Sequence, residues 1–429
     1  MFDLSIFAVV IALIVLVVMV YMGFSPILVG PMASIVAILL LGMPPLQTLT
    51  GPYMETSGNY FIMFFLIFLG GAIFGKIMED TGAASSIGKM LSKVIGAKRA
   101  ILVTVLITAV LTYGGVSLFV VIFVSYPLAL ALFKEANINK KLIGGSVALG
   151  AFTFTMTTPG TPQIQNIIPM RYLGTPATAA LVPGWIGGLL IFILGIFYLE
   201  WESRRIARKG IHFNSARELK NIDENIQLPG FWISILPSIT IIFSLNILNI
   251  DVIYSLAIGI ILAIILLRKY LNFSNWIRCL NNGAAGSTMA ILNTAAVVGF
   301  GGVVKAAPIF DKIVNIIKNL SINDYYFPAI STTILAGFTG SASGGLGIAY
   351  EALGEQFKTL GIPMEAVHRI SSMSAGVLDS LPHCGAVITL LVVAGLTHAD
   401  SYKDIFVVSV IVPLIAVFFV VVPLCMLMY

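Results

Sequence analysis

Apolar segments separated by short polar connections follow one another along the whole chain. A membrane-spanning helix needs about 20 predominantly apolar residues. Segments of that kind predict spans over residues 4–23, 26–43, 59–79, 142–170 (broken), 178–200, 230–249, 252–270, 284–305, 365–396 (broken) and 403–428. The segments 99–134 and 324–358 are too long for one span, and each has a Gly/Ser-rich polar tip near its middle. We expect each to form a helical hairpin that enters and leaves on the same side of the membrane.

The order of these segments repeats along the chain. Each half has five predicted crossings, one of them broken, and one re-entrant hairpin. Because five is odd, the two halves must have opposite orientations in the membrane. Phe133-Lys134 and Phe357-Lys358 occupy matching positions, which supports a duplication. The predicted fold is an all-α polytopic membrane protein with a first inverted repeat, a cytoplasmic linker and a second inverted repeat, over 1–200, 201–229 and 230–429.

Composition and charge strengthen this interpretation. Of the 429 residues, 58% are hydrophobic and 10% are charged, and the mean hydropathy is +1.01. A soluble domain has about 25% charged residues, so the composition excludes a soluble protein. The basic residues lie in short connections and not on one face, so they indicate membrane topology and no nucleic-acid partner. Most of them fall on the side of the 201–229 loop, which predicts that both termini lie outside the inner (plasma) membrane.

Two smaller features complete the outline of the chain. Amphipathic segments over 83–96 and 306–319 precede the two hairpins and are expected to lie along the membrane interface. The three cysteines have no CxxC spacing, so neither a disulfide framework nor a metal site is predicted. No cofactor is expected.

The hairpin tips and the broken spans are the candidate substrate site. Irregular backbone survives at membrane depth only when it is buried in protein or lines a wet cavity. Interrupted segments at matching positions of two halves indicate the binding site of a secondary transporter. Helix N-termini attract anions, and hydroxyl and amide side chains with little fixed charge suit a hydroxylated carboxylate. The candidate substrate-binding residues are Gly114, Gly115, Ser117, Thr157, Thr158, Thr161, Gln163, Asn166, Ser341, Ser343, Gly344, Ser380 and His383. The alternative for the small residues among them is ordinary helix packing.

Ionisable residues inside the predicted spans are few, and each is a candidate for function. Asp379 and His383 lie four residues apart in the second broken span, and Glu351 lies on the outgoing arm of the second hairpin. All three are candidates for proton coupling, since a histidine changes its charge near physiological pH. The alternative for His383 is a neutral ring bonded to a backbone carbonyl. Carbonyl and hydroxyl groups at the tips could also bind sodium, so sodium coupling stays open.

Other classes of protein have weaker support. No HExxH or GxxxxGK[ST] motif is present, which argues against a zinc peptidase and an ATP-driven pump. Ser343 lacks the glycine two residues before it that a GxSxG nucleophile requires, so no catalytic residue and no enzyme is predicted. An anion channel or an intramembrane hydrolase remains a less favoured alternative to a transporter.

Two stretches of the second half resemble the gluconate permease (GntP) family of the ion transporter superfamily. The first is Thr339-Gly340-Ser341-Ala342-Ser343-Gly344-Gly345, and the second begins at Asp379-Ser380-Leu381-Pro382-His383. The resemblance implies proton-coupled symport of sugar acids such as gluconate, or of short hydroxy acids such as 3-hydroxybutyrate. It further implies a homodimer in which a scaffold domain carries an elevator-like transport domain that holds both hairpins. On this basis we predict that 59–170 and 284–396 form the moving domain.

Overall fold

The computed structural model describes the whole chain except residues 1–3, 85, 88–89, 91–92, 94–95, 97–98, 114–117, 162, 214–227, 247 and 249. The described residues form helices and connecting turns and contain no strand. The helices of the first half are α1 (Leu4–Tyr21), α2 (Pro26–Leu40), α3 (Pro45–Asp80), α4 (Ala100–Tyr113), α5 (Leu118–Glu135), α6 (Leu142–Ala151), α7 (Phe154–Thr157), α8 (Ile164–Leu173) and α9 (Leu181–Arg208). Those of the second half are α10 (Phe231–Asn246), α11 (Val252–Leu267), α12 (Phe273–Ala306), α13 (Pro308–Lys318), α14 (Tyr326–Thr339), α15 (Ala342–Thr359), α16 (Met364–Ala375), α17 (Gly385–Ala394) and α18 (His398–Met428).

The two halves have the same order of elements. In each half, two short apolar helices precede a long helix, then come a pair of helices, a broken span and a final long helix. In the described part of the chain, five helices are long and apolar enough to cross a membrane, namely α3, α9, Ile253–Tyr270, α12 and α18. The protein is therefore a helical, polytopic membrane protein. The opposite orientation of its halves stays a prediction.

The long helices α3 and α12 begin well before the spans predicted for them at 59 and 284. Their early turns contain polar residues and glycines, which is why the sequence pattern placed both starts too late. The two helices pack along each other, and small residues let them approach closely. A Cβ added to Gly302 would lie 2.2 Å from Oγ1 of Thr56, and one added to Gly299 would lie 2.2 Å from Oγ of Ser57. Tertiary packing thus stabilises helix where hydropathy alone predicts a loop.

The last helices of the halves are also longer than predicted. Helix α9 continues to Arg208, inside the segment predicted as the linker, and α18 starts at His398 instead of 403. Within α18, Val407–Ile411 and Val417–Val421 form wide π-helical turns just before Pro413 and Pro423. Proline has no N–H to donate to the preceding turn, so the helix accommodates each proline by widening.

The hairpins and broken spans interlock across the two halves. Helix α4 packs on α6, and α14 packs on α16, within their own halves. Helix α8, however, contacts α15, and α17 contacts α5. Each hairpin therefore contacts the distal part of the broken span of the other half.

Helix α13 has the amphipathic character predicted for 306–319. Its buried residues are Ile309, Phe310, Ile313, Val314 and Ile317, whereas Asp311, Lys312 and Asn315 are exposed. Half of the residues of its counterpart, predicted over 83–96, lie outside the described residues.

Candidate functional site

The tip of the second hairpin is a turn of two residues between α14 and α15. Gly340 ends α14 with φ of +59°, a left-handed conformation that glycine adopts without a steric penalty. Ser341 caps α15, and its Oγ accepts a hydrogen bond from the N–H of Gly344 at 3.1 Å. The hydroxyl of Ser343 lies 3.4 Å from that of Ser341. The structure thus places the three predicted tip residues of this hairpin side by side.

His383 of the second broken span lies directly against this tip. A Cβ added to Gly340 would lie 2.6 Å from Cδ2 and 2.8 Å from Nε2 of the His383 ring. The ring is buried and also contacts Phe300 edge to face, with the ring centroids 6.4 Å apart. Its Nε2 has no hydrogen-bond partner among the described residues. A ring nitrogen at the contact between a tip and a broken span is therefore free to bind another group.

Side chains of α18 hold the second broken run in place. Tyr402 donates a hydrogen bond to the carbonyl of Ser380 at 3.1 Å, and Nε2 of His398 donates to the carbonyl of Pro382 at 3.0 Å. Ser380 in turn donates its hydroxyl to Oδ1 of Asp379 at 2.9 Å. Both Asp379 and Ser380 are buried. The irregular backbone of this run is thus bonded to protein, as an interruption inside the membrane requires.

The first broken run, between α7 and α8, is held from α4. Tyr113 donates its hydroxyl hydrogen to the carbonyl of Pro159 at 2.8 Å. Gln163 donates from Nε2 to the carbonyl of Thr112 at 2.6 Å. Gly160 has φ of +89°, which lets the chain reverse direction before α8. Gln163 therefore has a structural role, and its contact with substrate stays a prediction.

His368 and Arg369 of α16 complete the support of this run, and neither is among the site residues predicted from the sequence. Both side chains are completely buried. Arg369 donates from Nε to the carbonyl of Ala179 at 3.0 Å, from Nη2 to that of Ala177 at 3.1 Å, and from Nη1 to that of Thr157. Their position inside the predicted span 365–396 could have identified them, because ionisable residues within membrane spans are rare and functional.

The hydrogen bonds around Asn166 determine the state of His368. Asn166 donates from Nδ2 to the carbonyls of Thr161 and Ala177 at 2.9 and 3.0 Å. Its Oδ1 therefore faces Nε2 of His368, 2.8 Å away, and that nitrogen must carry the proton. Nδ1 of the neutral ring then accepts from the hydroxyl of Thr175 at 2.7 Å. Asn166 is fully engaged with protein groups, and its role as a substrate contact also stays a prediction.

The two broken runs meet inside the protein. A Cβ added to Gly376, just after α16, would lie 3.7 Å from Cγ2 of Thr157. Several buried polar atoms of these runs have no partner among the described residues, namely Oγ1 of Thr158, Oγ1 of Thr161, Oε1 of Gln165 and Nε2 of His383. Native proteins pair nearly all buried polar atoms, so such a set indicates a place where water, an ion or a ligand binds.

Helix α9 closes the far side of the first run. A Cβ added to Gly188 would lie 2.2 Å from Cγ2 of Thr158, and one added to Gly184 would lie 2.6 Å from Cγ of Pro159. Two glycines one turn apart thus let α9 press against the broken backbone. This contact buries Thr158 completely.

The remaining predicted residues lie elsewhere. Glu351 is exposed on α15, so the structure does not bring it among the buried polar atoms. Gly114, Gly115 and Ser117 of the first tip lie outside the described residues. Among the residues that the structure does describe, no group of three or more His, Cys, Asp or Glu side chains could hold a metal ion.

Broken helices around buried polar groups in an apolar helical bundle define the class of membrane transporters. Comparison with known proteins specifies the family, because a model described as GntP family permease matches residues 3–253. The chain belongs to the GntP family of permeases, and it is a membrane-embedded transporter. The family resemblance stated from the sequence is confirmed.

Individual relatives agree with this assignment. The chain is 40% identical to the uncharacterized transporter YxjC of Bacillus subtilis (strain 168), over 91% of this chain and 93% of that protein. It is 22% identical to an uncharacterized transporter of Haemophilus influenzae, over 73% of this chain and 74% of the relative. It is 23% identical to the D-serine transporter DsdX of Escherichia coli (strain K12), over 75% of each chain.

Proposed function

We propose that this permease is a proton-coupled symporter for a small hydroxylated carboxylate. The observation that carries the proposal is the set of buried polar atoms on the two broken runs, from Thr158 to His383, that have no partner among the residues the structure describes. One of these atoms lies against the Gly340 turn of the second hairpin. A ligand with several hydrogen-bonding groups would supply the partners that these atoms lack.

The chemistry of the site suits a carboxylate that carries hydroxyl groups. Hydroxyl and amide side chains can donate to and accept from a substrate hydroxyl. The half-helices α8 and α17 begin at the two runs, and helix N-termini favour anions. The relative DsdX is a D-serine transporter, and D-serine has both a carboxylate and a hydroxyl group. Gluconate, 3-hydroxybutyrate and D-serine are therefore the first compounds to test.

His383 is the leading candidate for the coupling proton. Its Nε2 is buried, lacks a partner in the described part of the chain, and lies at the tip of the second hairpin. A proton there would change the charge at the contact that must open for substrate to enter. Asp379, bonded to Ser380, is the second candidate. Sodium bound by hydroxyl and carbonyl oxygens near Thr157 and Ser341 is the alternative coupling ion.

The packing supports an elevator-like division of the molecule into scaffold and moving domain. Helices α9 and α18 bond to each other, since Tyr198 donates to Asp404 at 2.7 Å and Lys403 pairs with Glu202 at 2.9 Å. Both also contact the broken runs. We therefore assign 100–208 and 326–428 to the moving domain. Helices α3 and α12 pack on each other, and α3 also packs on α11 and α12 on α2, so we assign both to the scaffold. The sequence pattern, in contrast, placed both helices in the moving domain.

Exposed apolar residues on the scaffold suit lipid and a second protomer. In helix α10, Trp232 is 76% exposed, and α1, α2 and α11 expose rows of large apolar side chains. We propose a homodimer through this surface.

Uptake into liposomes tests the function. Protein reconstituted into vesicles should accumulate radiolabelled 3-hydroxybutyrate, D-gluconate or D-serine when the outside is acidic relative to the inside. A protonophore should abolish accumulation above the external concentration. Empty vesicles and protein held in symmetric buffer serve as controls. Accumulation that resists the protonophore and requires sodium would transfer the coupling to sodium, and downhill flux without accumulation under either gradient would indicate a channel.

A further inference from the structure

Arg369 is a buried cation with no ion-pair partner in the described part of the chain. Its guanidinium donates to three backbone carbonyls, those of Thr157, Ala177 and Ala179. The nearest acid on its own helix is Glu365, one turn earlier. Glu365 makes no ion pair with Arg369, and one of its oxygens lies 3.5 Å from the N–H of Ala180. The carbonyls accept hydrogen bonds from three of the five N–H groups of the guanidinium, and they leave its unit charge uncompensated.

An uncompensated charge in the protein interior is costly unless another charge arrives to pair with it. Burying a lone charge costs several kcal/mol even after the protein relaxes. A methionine, which is long and apolar, would avoid that cost, and a neutral donor could still bond some of these carbonyls. The full positive charge is therefore the property of Arg369 that needs a reason beyond packing.

The location of Arg369 supplies that reason. Its Nη1 bonds to the carbonyl of Thr157, and the next residue, Thr158, has a buried hydroxyl without a partner among the described residues. Arg369 thus bonds to the backbone of Thr157, directly before the predicted substrate contact Thr158. From the function proposed above, we infer that Arg369 is a positioning residue that supplies the counter-charge for the carboxylate of the substrate. The positive charge of Arg369 attracts the carboxylate from a distance, and its bond to the Thr157 carbonyl positions the backbone beside the ligand. The guanidinium does not touch the ligand.

This inference rests on the proposed function and predicts a dependence on substrate charge. At an effective dielectric constant of about 20, a unit charge roughly 10 Å from an anion changes the affinity for that anion by roughly ten- to thirty-fold. A neutral ligand of the same shape would not feel that effect. An anchor for the backbone, in contrast, would support anionic and neutral ligands equally.

The test compares 3-hydroxybutyrate with its neutral isostere 3-hydroxybutyramide in wild-type protein, Arg369→Gln and Arg369→Lys. Binding is measured by calorimetry and by competition with uptake of the labelled acid. Wild-type protein should bind the acid more tightly than the amide. Arg369→Gln should bind the acid roughly ten- to thirty-fold more weakly and the amide about as tightly as before. Arg369→Lys should still bind the acid more tightly than the amide. Arg171→Gln is the matched control, because it removes an exposed cation from the last turn of α8.

Each result bears on the inference. Equal affinity of wild-type protein for acid and amide would overturn it even if Arg369→Gln fails to fold. Equal loss of both ligands in Arg369→Gln would make Arg369 a backbone anchor only, and would leave the proposed substrate class intact. If wild-type protein binds none of 3-hydroxybutyrate, 3-hydroxybutyramide, D-gluconate and D-serine, the proposed function is overturned, and the inference with it.

Discussion

Two hydroxyl groups at the candidate site differ from most buried hydroxyls of this protein. Ser331, for example, donates to the carbonyl of Phe327 within its own helix at 2.6 Å, whereas the hydroxyl of Thr158 has no partner in the described region. Within the described residues, the hydrogen-bond contact of the Ser343 hydroxyl is a long one, 3.4 Å to the hydroxyl of Ser341. We therefore expect the hydroxyl groups in these two positions to contact the substrate.

Removing either available hydroxyl should weaken substrate affinity. A hydrogen bond to a charged group is worth about 1.5–3 kcal/mol, so Ser343→Ala and Thr158→Val should each raise the half-saturating concentration roughly ten- to a hundred-fold. Kinetics of uptake into vesicles would measure this, with expression and oligomeric state unchanged. Ser331→Ala provides the control, since it removes a hydroxyl that is bonded inside a helix. Unchanged kinetics in both site variants would show that the anion binds elsewhere.

Replacing His383 should alter the dependence of uptake on pH. If His383 carries the coupling proton, His383→Ala and His383→Gln should flatten the pH profile of uptake and abolish uphill accumulation, while exchange of substrate across the membrane continues. A purely structural histidine would give a uniform loss at every pH and would tolerate glutamine better than alanine. Initial rates between about pH 5.5 and 8, in net-uptake and exchange modes, separate these cases.

At the scale of helices and turns, the sequence predicted the interruptions well and their supports poorly. The Gly340-Ser341 turn and the broken run after Thr157 follow from local composition, because glycine and proline weaken a helix interior and serine favours caps and turns. The bonds from Arg369 to Thr157 and from Tyr402 to Ser380 join residues far apart in the chain. No local pattern specifies such pairs. The early turns of α3 and α12 were missed for the same reason, since mutual packing stabilises them.

The contact of α9 with the first broken run gives a prediction for a pair of residues. In Gly188→Ala the new Cβ would overlap Cγ2 of Thr158, and such overpacking costs about 1–3 kcal/mol. We expect a lower thermal unfolding midpoint in detergent and reduced uptake. Thr158→Ser removes the clashing methyl group and should restore stability in the double variant. Gly286→Ala is a suitable control, because nothing lies within 4 Å of its added Cβ. A double variant no more stable than Gly188→Ala would contradict the proposed contact.

On the scale of the whole molecule, the proposed division into scaffold and moving domain can be tested by cross-linking. Gly71 of α3 and Phe123 of α5 lie on opposite sides of the proposed boundary, and a Cβ added to Gly71 would lie 3.0 Å from Cβ of Phe123. Gly144 of α6 and Ser401 of α18 lie within the proposed moving domain, and a Cβ added to Gly144 would lie 3.2 Å from Cβ of Ser401. In a background without native cysteines, the pair Gly71→Cys/Phe123→Cys should stop transport when oxidised and release it when reduced.

The pair Gly144→Cys/Ser401→Cys is the matched control for that experiment. It should form a disulfide of similar geometry and leave uptake largely intact, because both residues move together. Full transport with α3 linked to α5 would rule out an elevator with this boundary. Loss of transport in both oxidised pairs, restored by reduction in both, would place the boundary elsewhere.

The exchange of partners between the halves has a consequence for how the chain is made. Helix α8 cannot pack on α15 until α15 has been synthesised, and the carbonyls of Thr157 and Ala177 cannot bond to Arg369 until α16 has been synthesised. Ribosomes add roughly 5–20 residues per second, so roughly 10 to 40 seconds pass between synthesis of the first broken span and arrival of its partners. During that interval the carbonyls of Thr157 and Ala177 lack the guanidinium that bonds them in the finished protein. The nascent chain is therefore most vulnerable to membrane quality control before its second half emerges, and substitutions that delay or weaken α15 and α16 should lower the amount of protein made before they affect transport itself.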